Sequence, residues 1–193
     1  MACPANISDD YQVILIGAAS VGKTCIIKKW TINEFSDEYI PTKYSTDHKE
    51  IEVRSRKCKV EILDTAGLSQ YWGMRDNMIR QADGIMIVFS ITDEGSFEML
   101  KELHQQVERN ISESSCVLLV GNKHDLSETR KVTYDSAWSF SEHLGLDYIE
   151  TSARVGHNIV EAFVHLIEAI MDKRLQNAPP QRTQTKNTKC RVM

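Results

Sequence analysis

Two glycines with four residues between them, followed at once by lysine and a hydroxyl residue, can hold a polyphosphate. Gly17-Ala18-Ala19-Ser20-Val21-Gly22-Lys23-Thr24 has that G-x-x-x-x-G-K-[ST] spacing in full. The glycines let the backbone turn sharply and aim its N–H groups inward, and a helix N-terminus just beyond adds partial positive charge. Lys23 can reach outer phosphates as a point charge, and the Thr24 hydroxyl can ligate Mg²⁺. Asp64-Thr65-Ala66-Gly67 follows an apolar run ending at Leu63, so its carboxylate can serve the Mg²⁺ shell while the Gly67 N–H senses a terminal phosphate oxygen. In Asn122-Lys123-His124-Asp125, the Asp125 carboxylate accepts hydrogen bonds only, which suits the N1–H and amine of guanine and not adenine. The wrong base would leave that carboxylate unpaired at a cost of about 1–3 kcal/mol or more. Thr151-Ser152-Ala153-Arg154 offers a backbone N–H to the guanine O6.

These stretches need elements to position them. Tyr11 to Ile16 reads as a buried strand, and Cys25 to Trp30 as the start of a helix. Asp47 to Arg54 and Lys57 to Leu63 read as strands joined by a tight turn at Ser55-Arg56, followed by a helix over Gln70 to Gln81. Gly84 to Ser90, Cys116 to Gly121 and Leu146 to Glu150 are further strands. Between them lie an amphipathic helix with Phe97, Leu100, Leu103 and Val107 on one face and a second helix over Thr133 to His143. In the last helix Ile159, Phe163, Leu166, Ile167 and Ile170 share a face, and Asn158 with Glu161 has the spacing of an N-terminal cap. Apolar strands alternating with helices predict an α/β domain: a mostly parallel six-stranded sheet with helices on both faces.

A chain of 193 residues suffices for one domain, expected over 10–174, with an N-terminal extension over 1–9 and a flexible tail over 175–193. The tail is rich in Asn, Gln, Thr and Pro and has four basic residues and no acidic one. A net charge of −4 does not suggest nucleic-acid binding, and five scattered cysteines suit a reducing compartment. The six histidines show no metal-ligand spacing. No secretory signal, N-myristoylation site or bilayer-length apolar run is visible, so a soluble protein is expected.

In this order, the phosphate loop, Asp64-Thr65-Ala66-Gly67, Asn122-Lys123-His124-Asp125 and Glu150-Thr151-Ser152-Ala153-Arg154 resemble the Ras superfamily of small GTPases over about residues 10–174. Tyr71, Met74-Arg75-Asp76 and Arg80 resemble its second switch, and Phe35 to Thr42 the first. The interval from Asp125 to Ser152 leaves no room for the extra helix of Rho proteins, which favours the Ras-type branch. The resemblance implies the P-loop NTPase G-domain fold, GTP/GDP and Mg²⁺ as cofactors, and hydrolysis of GTP. It implies phosphate contacts from Gly17, Ala18, Ala19, Ser20, Val21, Gly22, Lys23, Thr24 and Cys25. It implies base and switch contacts from Phe35, Tyr39, Pro41, Thr42, Gly67, Asn122, Lys123, Asp125, Leu126, Ser152, Ala153 and Arg154. Thr24 and Thr42 would ligate Mg²⁺, with Asp64 in its outer shell; Lys23, Thr42, Gly67 and the residue at Leu68 would serve hydrolysis. Implied partners are effectors, an exchange factor and an activating protein, for a monomer that binds no nucleic acid.

The departures from the family pattern are informative. Leu68 stands where the family has the Gln that orients the attacking water, and Gln70, two residues on, is expected to point elsewhere and not to substitute for it. Ala19 replaces a second loop glycine, and its methyl would crowd a partner's arginine finger, worth about 10³–10⁵ in rate in this family. Both predict a slow hydrolase that resides in the GTP state. The alternatives are a non-cycling GTP-bound binding module, or a Rho- or Rab-like GTPase in which Leu68 was engineered to trap GTP. An ATP-using kinase is disfavoured by Asp125. Lys43 to His48 lacks the acidic pair that Ras offers to basic effector domains. Trp30 is expected in the core and Trp72 as a partner contact. Cys190-Arg191-Val192-Met193 fits a prenylation box despite Arg191, with Arg182, Lys186 and Lys189 as a modest basic patch. Reversible attachment to the cytoplasmic face of a membrane, with a cytosolic pool, is the expectation.

Overall fold

A computed structural model describes residues 9–38, 44–65 and 72–177, with the backbone alone for 72–74. Six strands form one sheet: β1 (Asp10–Gly17), β2 (Tyr44–Val53), β3 (Arg56–Thr65), β4 (Gly84–Ser90), β5 (Cys116–Asn122) and β6 (Asp147–Glu150). Their order is β2-β3-β1-β4-β5-β6, parallel except for the antiparallel β2–β3 pair. The helices are α1 (Lys23–Ile32), α2 (Trp72–Gln81), α3 (Glu94–Glu98), α4 (Leu100–Asn110), α5 (Tyr134–Leu144) and α6 (Ile159–Asn177), with a 3-10 segment at His124–Thr129.

The apolar runs are continuous because side chains leave alternate faces of a sheet covered on both. Val13 and Leu15 of β1 enter one core cluster with Ile26 and Trp30 of α1 and Phe163, Leu166 and Ile170 of α6. Ile14 and Ile16 enter the other with Ile79 of α2, Leu103 and Val107 of α4 and Ala137 of α5. Trp30 is a core residue, its ring stacked 3.9 Å from that of Phe163. The expected apolar face of α6 is buried along its length.

Several expectations need correction. The β2–β3 turn lies at Arg54-Ser55, not Ser55-Arg56: Val53 pairs with Arg56, and both turn residues have positive φ, the backbone twist a two-residue hairpin favours. The predicted amphipathic helix is two helices meeting at Met99. Asn158 precedes α6, but its side chain donates to the Glu150 carbonyl (2.9 Å) instead of capping. Helix α6 runs three residues past Arg174, so Leu175 to Asn177 are helical, not tail. Tyr39, Pro41, Thr42, Gly67, Leu68, Gln70, the Trp72 side chain and Cys190 with its prenylation box lie outside the described residues, as do 1–8 of the N-terminal extension and 178–193 of the tail.

Candidate functional site

All the described motifs converge at the C-terminal edge of the parallel strands. Strand β1 lies between β3 and β4, so the chain turns back across the sheet there, the place where open α/β sheets bind ligands. The phosphate-loop candidate joins the end of β1 to α1, and a hydrogen bond from Ile26 N to the Gly22 carbonyl (2.9 Å) starts that helix. Two of its glycines are required by crowding. A Cβ at Gly17 would strike the Val88 carbonyl of β4. Gly22, at φ 100°, leaves room for Asn122, whose Nδ2 donates to the Val21 carbonyl at 2.9 Å. That bond ties the loop directly to the Asn122-Lys123-His124-Asp125 stretch at the end of β5.

Lys23 is 6% exposed and its ammonium curls back over the loop, donating to the Gly17 (3.0 Å) and Ala18 (2.8 Å) carbonyls. Burial pushes its pKa down to about 8; Asp64 opposes that shift and Arg75 adds to it. A desolvated ammonium with no carboxylate bonded to it among the described residues is suited to take up an anionic partner. The Thr24 hydroxyl donates to Asp64 Oδ2 at 2.5 Å, and Asp64, at the end of β3, is buried. A hydroxyl and a carboxylate oxygen already in contact are hard oxygen donors, and they fit a small divalent cation such as Mg²⁺. Ala18 and Val21 are buried, Ala19 is half-buried and Ser20 is exposed with φ 61°. Cys25 is half-buried, 3.8 Å from the Ser36 carbonyl, and burial raises its thiol pKa.

At the other end of the site, Asn122 is buried and its Oδ1 faces the Thr151 hydroxyl and the Ala153 N–H, each at 3.3 Å. Lys123 adopts a left-handed backbone (φ 71°), which turns the chain so that the His124 N–H reaches the Thr151 carbonyl. Asp125 Oδ1 accepts from the Ser152 hydroxyl at 2.5 Å, and Arg154 Nε lies 3.6 Å from Asp125 Oδ2. Ser152 therefore orients the carboxylate and leaves it further lone pairs for a ligand. Leu126 follows in the 3-10 segment with its side chain exposed. Phe35 is half-buried against the α1–α6 core and lies beneath the Arg154 guanidinium.

One part of the site was not foreseen. Glu150, at the end of β6, accepts from both Arg130 terminal nitrogens (2.7 Å each), from the Tyr148 hydroxyl (2.8 Å) and pairs with His124 Nδ1 (2.8 Å). Burial alone would raise the Glu150 pKa, but the Arg130, His124 and Tyr148 bonds outweigh it and hold it at about 2. The hub braces His124 between Lys123 and Asp125. Glu150 stood in a quoted motif, but nothing in the sequence marked Arg130, whose partner is twenty residues away.

A Ras family model matches residues 12–172 of this chain. Among similar proteins are Ras-related protein Ral-B of Mus musculus (36% identical over 167 residues, 86% of this chain and 81% of that protein) and Ras-related protein O-RAL of Diplobatis ommata (35%, with the same coverage). Ras-related protein Ral-a of Drosophila melanogaster is 34% identical over 169 residues, 87% of this chain and 84% of that protein. The matched span takes in every strand from β2 to β6 and all but the last five residues of α6, and with it each stretch gathered at the sheet edge. The chain belongs to the Ras family of small GTPases.

Proposed function

We propose that this protein is a GTP/GDP switch with a slow hydrolysis step, so that it spends most of its cycle with GTP bound. The observation that carries the slow step is a residue type, Leu68 in place of a water-orienting Gln. Hydrolysis needs a water held in line with the γ-phosphorus, and a leucine side chain has no hydrogen bond with which to hold it. Within the 10–174 domain, backbone N–H groups of Ala19 to Cys25 would cradle the phosphates, and Lys23 would meet the β- and γ-phosphates. Thr24 and Thr42 would offer oxygens to Mg²⁺ with Asp64 behind them, and the bound ion would offset phosphate charge. Asn122, Lys123, Asp125 and the Ser152-Ala153-Arg154 stretch would read guanine, with Phe35 against the base edge. Thr42 and Gly67 would sense the γ-phosphate and order the two switches for effectors. Lys43 to His48 lacks an acidic pair, so those effectors would not be the basic domains that Ras recruits. The Cys190 box and the basic residues of 178–193 support reversible prenyl attachment to a cytoplasmic membrane face.

Ala19 favours a second reading, a GTP-bound module that no longer cycles. Single-turnover hydrolysis of bound GTP by the parent and by Leu68→Gln separates the two. The switch reading expects a slow parent and a variant faster by about 10–100-fold, the scale on which lost orientation costs rate. Equal, slow rates would favour the non-cycling module, and a parent as fast as ordinary family members would overturn both.

A further inference from the structure

Two histidines from separate stretches of chain lie face to face beside the candidate site. His124 sits between Lys123 and Asp125, and His157 follows the Ser152 stretch; their rings stack with centroids 4.8 Å apart and planes 24° from parallel. Their surroundings differ. His124 is half-buried, and its Nδ1 meets the Glu150 carboxylate at 2.8 Å, with Arg130 and the Tyr148 hydroxyl on the same carboxylate. His157 is exposed, and a Cβ on its neighbour Gly156 would lie 3.9 Å from the Lys29 ammonium of α1. The other cation of that stretch, Arg154, is turned to Asp37 and Asp125. Among the described residues no carboxylate pairs with His157. The stack spans a junction that hydrogen bonds also make. Asp125 Oδ1 accepts from the Ser152 hydroxyl, the Ser152 N–H donates to the His157 carbonyl (3.0 Å), and the Gly156 N–H donates to the Ser152 carbonyl (2.8 Å). His157 thus packs the turn that carries Ser152 against the residue next to Asp125.

We propose that the His124–His157 stack is a positioning pair for nucleotide retention that opens on double protonation: it holds the Asn122–Asp125 stretch to the Ser152 turn at neutral pH and lets go in mild acid. This rests on the guanine-nucleotide reading above. An imidazole ordinarily changes charge between about pH 5 and 8. One proton leaves the stack attractive, because an imidazolium over a neutral ring is a cation–π contact, and on His124 it also pairs with Glu150. Two protons set like charges 4.8 Å apart, with Lys29 adding to the repulsion and only Glu150, already shared with Arg130, offsetting it. The turn and the Asn122–Asp125 stretch then separate more readily, and the effect falls on the off-rate.

The test is release of a fluorescent GDP analogue into excess unlabelled GDP, at fixed Mg²⁺, from the full-length parent, His157→Phe and His157→Ala. Release from the parent should speed about fivefold between about pH 7.5 and about pH 5.5, the factor that two unit charges at this spacing give in water. His157→Phe keeps a ring to stack on His124 but takes up no proton, so its rate should not rise with acid. His157→Ala loses the stack, and an aromatic pair is worth a factor of about two to ten, so it should release faster by that factor at about pH 7.5 and gain nothing on acidification. A role confined to packing would leave the pH profile alike in all three. A flat parental profile, a His157→Phe rate that climbs as steeply as the parent's, or a His157→Ala rate equal to the parent's near neutrality overturns the proposal while leaving nucleotide binding intact. A parent that holds no guanine nucleotide overturns the reading beneath it, and is seen before any variant is made.

Discussion

Glu150 shows how much one buried side chain can carry. Its carboxylate joins Tyr148 of its own strand to His124 and Arg130 at the two ends of the 3-10 segment that follows β5. Removing its charge leaves the Arg130 fork without its partner, so Glu150→Gln should cost about 3 kcal/mol of folding stability near pH 7. The sign of the pH dependence follows from the shift. The folded pKa of about 2 lies below the ordinary 4.5, so the stabilisation is complete above pH 4.5 and is lost as the pH falls from there towards 2. Urea unfolding of parent and variant at a series of pH values should show a gap that narrows across that window; a constant gap would contradict it. The residue types of the candidate site stand out in the sequence because the proposed ligands, phosphate, Mg²⁺ and guanine, would each demand a particular donor or acceptor. The partners that hold those residues still, Arg130 for Glu150 and Asn122 for the Val21 carbonyl, were not, because a hydrogen bond between distant residues leaves no local pattern.

At the scale of elements, strand existence was easy to read and strand ends were not. Strand β4 has the bounds its apolar run predicts, being buried throughout, whereas β2 extends three residues earlier than its pattern suggests and ends one residue sooner. An exposed edge strand carries a weak hydrophobic signal, so its pairing with β3 sets its length. Strand β5 shows how an element and the site depend on each other. A Cβ at Gly121 would lie 2.5 Å from the Tyr148 hydroxyl and 3.1 Å from Phe89 Cζ. Gly121→Ala should therefore push Tyr148 away from Glu150 and destabilise the fold by about 2 kcal/mol, through overpacking. Thermal melting should register that loss, and GDP affinity should fall with it because Asn122 is the next residue. Unchanged melting and affinity would mean that β5 and β6 have room to separate.

Across the whole molecule, α1 and α6 close one face of the sheet and the remaining helices the other. The Trp30–Phe163 stack joins α1 to α6 behind the phosphate loop. Phe163→Ala should cost about 3–5 kcal/mol, the usual range for a large aromatic removed from a core, lowering the melting temperature by about 10 °C. Differential scanning calorimetry would measure it, and a shift of a degree or two would mean that the pocket collapses around the loss. What the sequence determined alone is whatever depends on residue type and short spacing: an α/β sheet covered on both sides, a glycine-rich loop with the spacing of a phosphate loop at the end of its first strand, and an acceptor-only carboxylate at Asp125. Only the tertiary structure decided which distant groups meet: the Glu150 hub, the Asn122 tie to the phosphate loop, the Arg54-Ser55 turn and the reach of Arg154 to Phe35 and Asp37. Motifs survive in sequence because backbone geometry fixes their spacing. Contacts between elements depend on how the sheet twists and the helices pack, and no short stretch of chain contains that information.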